Sequence, residues 1–167
     1  VSLPNADQVK RALNSCEFVV VSDICKDTDT TQFADLLLPA LGWGEKDGTV
    51  TNSERRISRQ RAFLDPPEQA KADWWAVAQV AKKLGFTGFD FANSHEIFKE
   101  HAQLSAYQNA EVNARSNTQS FRYFNLQGLT DLSSEEYYQL EPVQWPILNQ
   151  NQQDGEVAQL FKNGLFK

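Results

Sequence analysis

Methionine is absent from all 167 residues, even at the start, where Val1 opens a Val-Ser-Leu-Pro run. The chain stops at Phe166-Lys167, directly after an amphipathic Val157–Phe166 segment and without a tail. Together these ends predict a piece of a longer protein. Cysteine is scarce: Cys16 and Cys25 flank an apolar run. Side chains at opposite ends of one strand point apart, which argues against a bridge between them and fits a reducing compartment. The two histidines, His95 and His101, fall roughly 240° apart around a helix and cannot share a metal from one face. No paired cysteine spacing offers another metal site. The longest apolar runs, Phe18–Val21 and Leu36–Ala40, are far short of a spanning helix, and no charged-then-apolar leader opens the chain. Positive charge is in deficit. The 16 Lys and Arg against 22 Asp and Glu leave a net charge of −6, which argues against nucleic acid or an anionic membrane face as a whole-surface partner. Gly-rich phosphate loops and Ser-His-Asp or Cys-His arrangements are also missing, so the chain by itself is not expected to catalyse a reaction.

What remains is an ordinary globular composition, 41% hydrophobic and 23% charged, at the usual size of one domain. Asn5 caps a helix predicted over about residues 6–14, with Val9, Ala12 and Leu13 at helical spacing. Phe18–Val21 has no polar alternation and reads as a strand buried on both faces. A helix followed by such a strand is the rhythm of an α/β sheet. Ser22 and Asp23 fall at its carboxyl end, where open α/β sheets place ligands and an acidic side chain accepts from a ribose. Asp23 could equally cap the next turn. A short helix is expected over Thr28–Asp35, with Phe33 inward. Leu36–Ala40 reads as a second buried strand whose pairing Pro39 ends.

Trp43 to Phe63 is the unusual stretch. It gathers Lys46, Arg55, Arg56, Arg59 and Arg61 in an acidic chain. Asp47-Gly48 reads as a tight turn, and exposed amides beside cations suit a phosphate or another polyanion. The alternative is a solvated, salt-bridged strand. Ala72–Gly85 is the clearest helix, with Trp74, Val77, Ala78, Ala81 and Leu84 on one stripe, Asp73 as N-cap and Gly85 as its stop. Trp74 and Trp75 read as packing residues. A helix from Ser94 to about Ala110 follows, then an irregular strand within Ser116–Phe124. Ser133–Glu136 forms a capping box, Glu141–Pro146 an aromatic-anchored loop, and Asn149–Asp154 a polar spacer.

Ala34–Ala40, then Trp43-Gly-Glu-Lys-Asp-Gly-Thr-Val-Thr-Asn-Ser-Glu-Arg-Arg56, resembles the molybdopterin oxidoreductases. With Ile57–Phe63, Ala72-Asp-Trp-Trp and Val143-Gln-Trp-Pro146, the likeness is greatest to the catalytic subunits of bacterial assimilatory nitrate reductases. Formate dehydrogenases share the Glu-Lys-Asp-Gly-Thr and Asn-x-Glu-Arg-Arg elements. The resemblance implies an α/β, parallel-sheet layered domain of the formate dehydrogenase/DMSO reductase type, excised from a larger enzyme. Residues 1–92 would form the dinucleotide-binding part and 93–167 a helical, loop-rich extension. It also implies that Ser22, Asp23, Lys46 and Asp73 contact one guanine dinucleotide arm of a molybdenum bis(molybdopterin guanine dinucleotide) cofactor. The carboxylates would accept from ribose or guanine and Lys46 would meet pyrophosphate. Asn52, Arg55 and Arg56 either support those contacts or form an internal network with Glu54. The [4Fe-4S] cysteines, the molybdenum ligand and the carboxy-terminal cofactor-binding domain would lie outside this chain. The implied partners are the remaining domains of the parent reductase and an electron-donor protein or subunit, in the cytoplasm. A stand-alone anion- or protein-binding module built on Lys46–Arg61 is the reading of a different class.

Overall fold

The computed structural model describes residues 3–67, 69–109, 122 and 124–148. The Val157–Phe166 segment, the Asn149–Asp154 spacer and nearly all of the strand expected within Ser116–Phe124 lie outside them. The elements are α1 (Ala6–Ser15), β1 (Val20–Asp23), β2 (Leu36–Pro39), β3 (Gly48–Thr51), β4 (Arg56–Gln60), α2 (Asp73–Lys83), α3 (Ser94–Ala106), α4 (Ser134–Gln139) and β5 (Val143–Gln144). They fall into two compact units, Val1–Lys46 with Arg61–Asp90, and Asp47–Gln60 with Phe91–Lys167. Residues 47–60, assigned from sequence to the first part, belong with the second unit, because β4 pairs with β5.

In the first unit, Asn5 caps α1 by accepting from the Gln8 amide. β1 and β2 pair in parallel, Val20 opposite Leu36 and Asp23 opposite Pro39. Asp35 pins their start, its carboxylate accepting from the Val19 amide at 2.8 Å and its own amide donating to the Val19 carbonyl at 2.9 Å. The connection holds a single 3-10 turn, Thr31–Phe33, instead of the expected helix. The Thr31 hydroxyl donates to the Lys26 carbonyl at 2.8 Å, which folds the segment on itself before a helix can propagate. The pairing of β2 with β1 ends at Pro39, as expected, and the chain then takes a new partner: the Pro39 carbonyl accepts from the Lys71 amide at 3.1 Å, and Ala40 and Lys71 bridge in parallel. That step carries the chain directly into α2.

The buried apolar residues of this unit are small: Val19, Ala40, Ala70, Ala78 and Ala81. The two-sided burial expected of β1 does not occur, since Phe18 and Val20 are exposed and the strand has one full partner. On α2 the alanines of the expected stripe face inward, but Val77 and Leu84 are 63% and 69% exposed, and Trp75 is exposed as well. The helix ends as expected. Gly85 (φ 85°) donates to the Lys82 carbonyl and Phe86 to that of Ala81, the double bond pattern of a left-handed cap.

The second unit has the larger core: Ile57, Phe98, Ala102, Leu126, Leu129, Leu132 and Tyr137. Its sheet is antiparallel, in the order β3-β4-β5. Asp47-Gly48 is not the hairpin turn, for Gly48 already pairs with Gln60. The reversal comes at Asn52–Arg55. The Asn52 side chain accepts from the Glu54 and Arg56 amides, each at 3.0 Å, and Arg55 takes φ 65°. α3 stops at Ala106, short of Ala110, where Tyr107 turns extended and the Asn109 side chain instead bonds to Arg122. The capping box forms as expected, with Ser133 and Glu136 bonded reciprocally.

Candidate functional site

Ser22 ends β1 on one face and Asp73 opens α2, a separation of 51 residues along the chain. The Ala40–Lys71 bridge brings the start of α2 beside the carboxyl edge of β1 and β2. There the Ser22 hydroxyl donates to Asp73 Oδ1 at 2.7 Å, and Lys46 Nζ lies 3.3 Å from Asp73 Oδ2. Three of the four residues implicated by sequence therefore meet at one carboxylate. Asp73 is not the N-cap. Ala72 holds that position without a side-chain acceptor, leaving the carboxylate of the first helical residue free for Ser22 and Lys46. The hydrogen bond from Ser22 holds the Asp73 carboxyl below the usual carboxylate value; burial opposes this, and Lys46 adds to the lowering. A carboxylate in the first turn also suits the helix dipole.

Asp23 behaves differently. Successive strand residues leave on opposite faces, and its carboxylate accepts from the Cys25 amide at 3.0 Å. That contact matches the turn-capping alternative considered for it. Asp73 keeps 55% of its side chain exposed and Lys46 37%, so the cluster is open to solvent.

The basic stretch is not a free anion platform. Arg59 has 1% of its side chain exposed; its Nη2 contacts Asp47 Oδ1 at 2.6 Å, and its guanidinium lies 3.9 Å from the Tyr137 ring centroid. Arg59 Nη1 also donates to the Tyr137 hydroxyl at 2.8 Å and to the Gly48 carbonyl. Burial pushes the Tyr137 phenol above its ordinary value. Ser94 donates to the other oxygen of Asp47. Arg55 stands over the Trp145 ring and Arg56 donates to the Pro142 carbonyl, so this arginine pair holds the 142–145 segment. Sequence reading missed the Asp47–Arg59–Tyr137 network. Its signal in the sequence was that Arg59 lies two residues from Ile57, and so on the same strand face as that apolar side chain.

His95 bonds the Leu132 carbonyl through Nε2 and the Ser134 hydroxyl through Nδ1, and His101 packs against Phe124. Among the described residues no three His, Cys, Asp or Glu side chains gather as a metal site. Both cysteines are free and exposed. No helix among the described residues is long and apolar enough to cross a membrane.

Comparison with known proteins gives this geometry its context. The molybdopterin oxidoreductase family profile matches residues 1–83. The nitrate reductase of Klebsiella oxytoca is 53% identical over 148 residues, which is 88% of this chain and 16% of that protein. That of Shewanella frigidimarina is 51% identical over 166 residues, 99% of this chain and 17% of its own length. The chain belongs to the molybdopterin oxidoreductase family. An F420-dependent formate dehydrogenase subunit alpha of Methanocaldococcus jannaschii is 44% identical over 101 residues, covering 60% of the chain and 15% of that subunit. The chain spans about a sixth of the length of the nitrate reductases it matches.

Membership in an oxidoreductase family of this kind implies a molybdenum–pterin cofactor. The residues present fit a polar organic portion of such a group. Asp73 is a solvent-open carboxylate with both oxygens oriented by neighbouring donors, and it keeps lone pairs for further hydroxyl or N–H donors.

Proposed function

We propose that this chain is part of a cytoplasmic molybdenum-dependent nitrate reductase and lines the guanine dinucleotide arm of its bis(molybdopterin guanine dinucleotide) cofactor. The observation that carries the reading is the meeting of Ser22, Lys46 and Asp73 at the carboxyl edge of a parallel strand pair, the edge where α/β sheets take nucleotides. Asp73 would accept from ribose hydroxyls or guanine N–H groups, Ser22 would orient it, and Asp23 would border the same edge. The parallel pair is consistent with a layered sheet of the formate dehydrogenase/DMSO reductase type, completed by the remaining domains of the parent. The dinucleotide-binding part would lie within residues 1–92. In that parent, which would also carry a [4Fe-4S] cluster, molybdenum supplies the two-electron reduction of nitrate to nitrite, with electrons from a donor protein or subunit.

Nitrate is favoured over formate because the nitrate reductases match 88% and 99% of the chain, against 60% for the formate dehydrogenase. A formate dehydrogenase-type parent is the second reading, supported by that shared 101-residue match. The stand-alone module loses support on two grounds: Arg59 is buried, and the matching proteins are about six times as long. The test is molybdenum content, by mass spectrometry, of the purified full-length protein carrying Asp23→Ala, Lys46→Ala or Asp73→Asn. Lower occupancy with an unchanged circular dichroism spectrum is expected, and wild-type occupancy in all three would remove the assignment.

A further inference from the structure

Lys46 is the only cation in the Ser22–Lys46–Asp73 cluster, and a lone ammonium beside a nucleotide site invites assignment to the pyrophosphate. Three observations oppose that. One of its donors is already directed at Asp73 Oδ2, at 3.3 Å. A phosphate taken up by the others would sit close to the Asp73 carboxylate, a charge of its own sign. Moreover, the start of α2 already has its anion, since Asp73 is the acidic residue of the first turn.

The carboxylate presents the opposite picture. Its two oxygens are fixed from two sides, by a hydroxyl and an ammonium, while 55% of the side chain faces solvent. An ionised carboxylate has about four acceptor positions, so roughly half remain open. What remains open suits a donor-rich, uncharged group.

We propose that Lys46 is a positioning residue: with Ser22 it holds the Asp73 carboxylate in place to receive hydroxyl and ring N–H donors of a nucleoside, and it does not itself bind phosphate. The idea rests on the nucleotide-arm reading above and narrows it, assigning this edge to the nucleoside end of the ligand.

The experiment is calorimetric titration of full-length apo-reductase with guanosine and, separately, with GDP. Lys46→Ala, Asp73→Asn, the double variant and Lys46→Arg are compared with wild type. Lys46→Ala should weaken guanosine and GDP by the same factor, about three- to fivefold for a partly exposed pair. It should add nothing to Asp73→Asn, and Lys46→Arg should restore most of the loss. Weakening of GDP alone, or a loss that multiplies with that of Asp73→Asn, would overturn the assignment of Lys46 while leaving the nucleotide-arm reading intact. If Asp73→Asn leaves guanosine binding unchanged, or wild type binds neither probe, both fall together.

Discussion

Deleting the partly exposed acid of the Asp47–Arg59 pair should cost more than deleting its buried base. The Arg59 side chain is 1% exposed, whereas that of Asp47 is 42% exposed. Unit charges about 4 Å apart attract by about 4 kcal/mol at an effective dielectric near 20. Removing one member of a buried pair costs about 3–5 kcal/mol, because the other charge is stranded. Discounting for the exposure of Asp47 leaves about 2–3 kcal/mol for Asp47→Ala, with the guanidinium still locked under Tyr137. Arg59→Met removes the buried charge and fills most of its volume, while Asp47 keeps Ser94 and solvent. The expected cost is about 1 kcal/mol, most of it the lost contact with the Tyr137 ring. Amide hydrogen exchange on β4 and α3 reads this directly. Asp47→Ala should speed exchange there by roughly 30- to 150-fold, and Arg59→Met by under about tenfold. The reverse order would refute the reasoning, for it would mean that the guanidinium is worth more through its neutral contacts than through its charge.

Three further tests address other parts of the chain. Ser22→Ala should raise the Asp73 carboxyl toward 3.8, followed by NMR titration. Since the folded value is depressed, the stabilising contribution is present above the unfolded value and is lost as pH falls through the folded one; Ser22→Ala should therefore flatten the acid limb below about pH 4. Leu126→Ala, at a fully buried position in the second unit's core, should cost about 2–5 kcal/mol by chemical denaturation, and a cost under 1 kcal/mol would contradict that packing. Gly85→Ala places a Cβ on a residue at φ 85° and should cost about 1–2 kcal/mol in thermal unfolding. An unchanged midpoint would mean that the cap is not formed.

Local chemistry was legible where one residue satisfies its own backbone. Asn5, the Ser133–Glu136 box and Gly85 could be read because caps need only residues a few positions away. Asp47-Gly48 misled because two facts beyond local propensity decide its role: a ladder that already includes Gly48, and two distant side chains that bind Asp47. Asn52 won the turn through its side chain, a signal that was present but outranked. The site was half legible. The resemblance named Ser22, Lys46 and Asp73, yet nothing local foretold that a hydroxyl and an ammonium would share one carboxylate. Apolar runs such as Phe18–Val21 correctly announced a strand. They could not say that its large side chains would remain uncovered, because burial is a property of neighbours.

The alanine-lined interior of the first unit has a consequence for how such a unit holds together. Ala40, Ala70, Ala78 and Ala81 carry one methyl group each, so the interior they form with Val19 yields little transfer free energy. Phe18, Trp43, Phe63, Val77, Val80, Leu84 and Phe86 instead stand at the surface. Small residues let backbones approach closely, fixing where Ser22 and Asp73 meet, but close approach is a geometric gain with little cohesion behind it. Alone, such a unit would be an accurate jig with weak clamps, well shaped and easily opened.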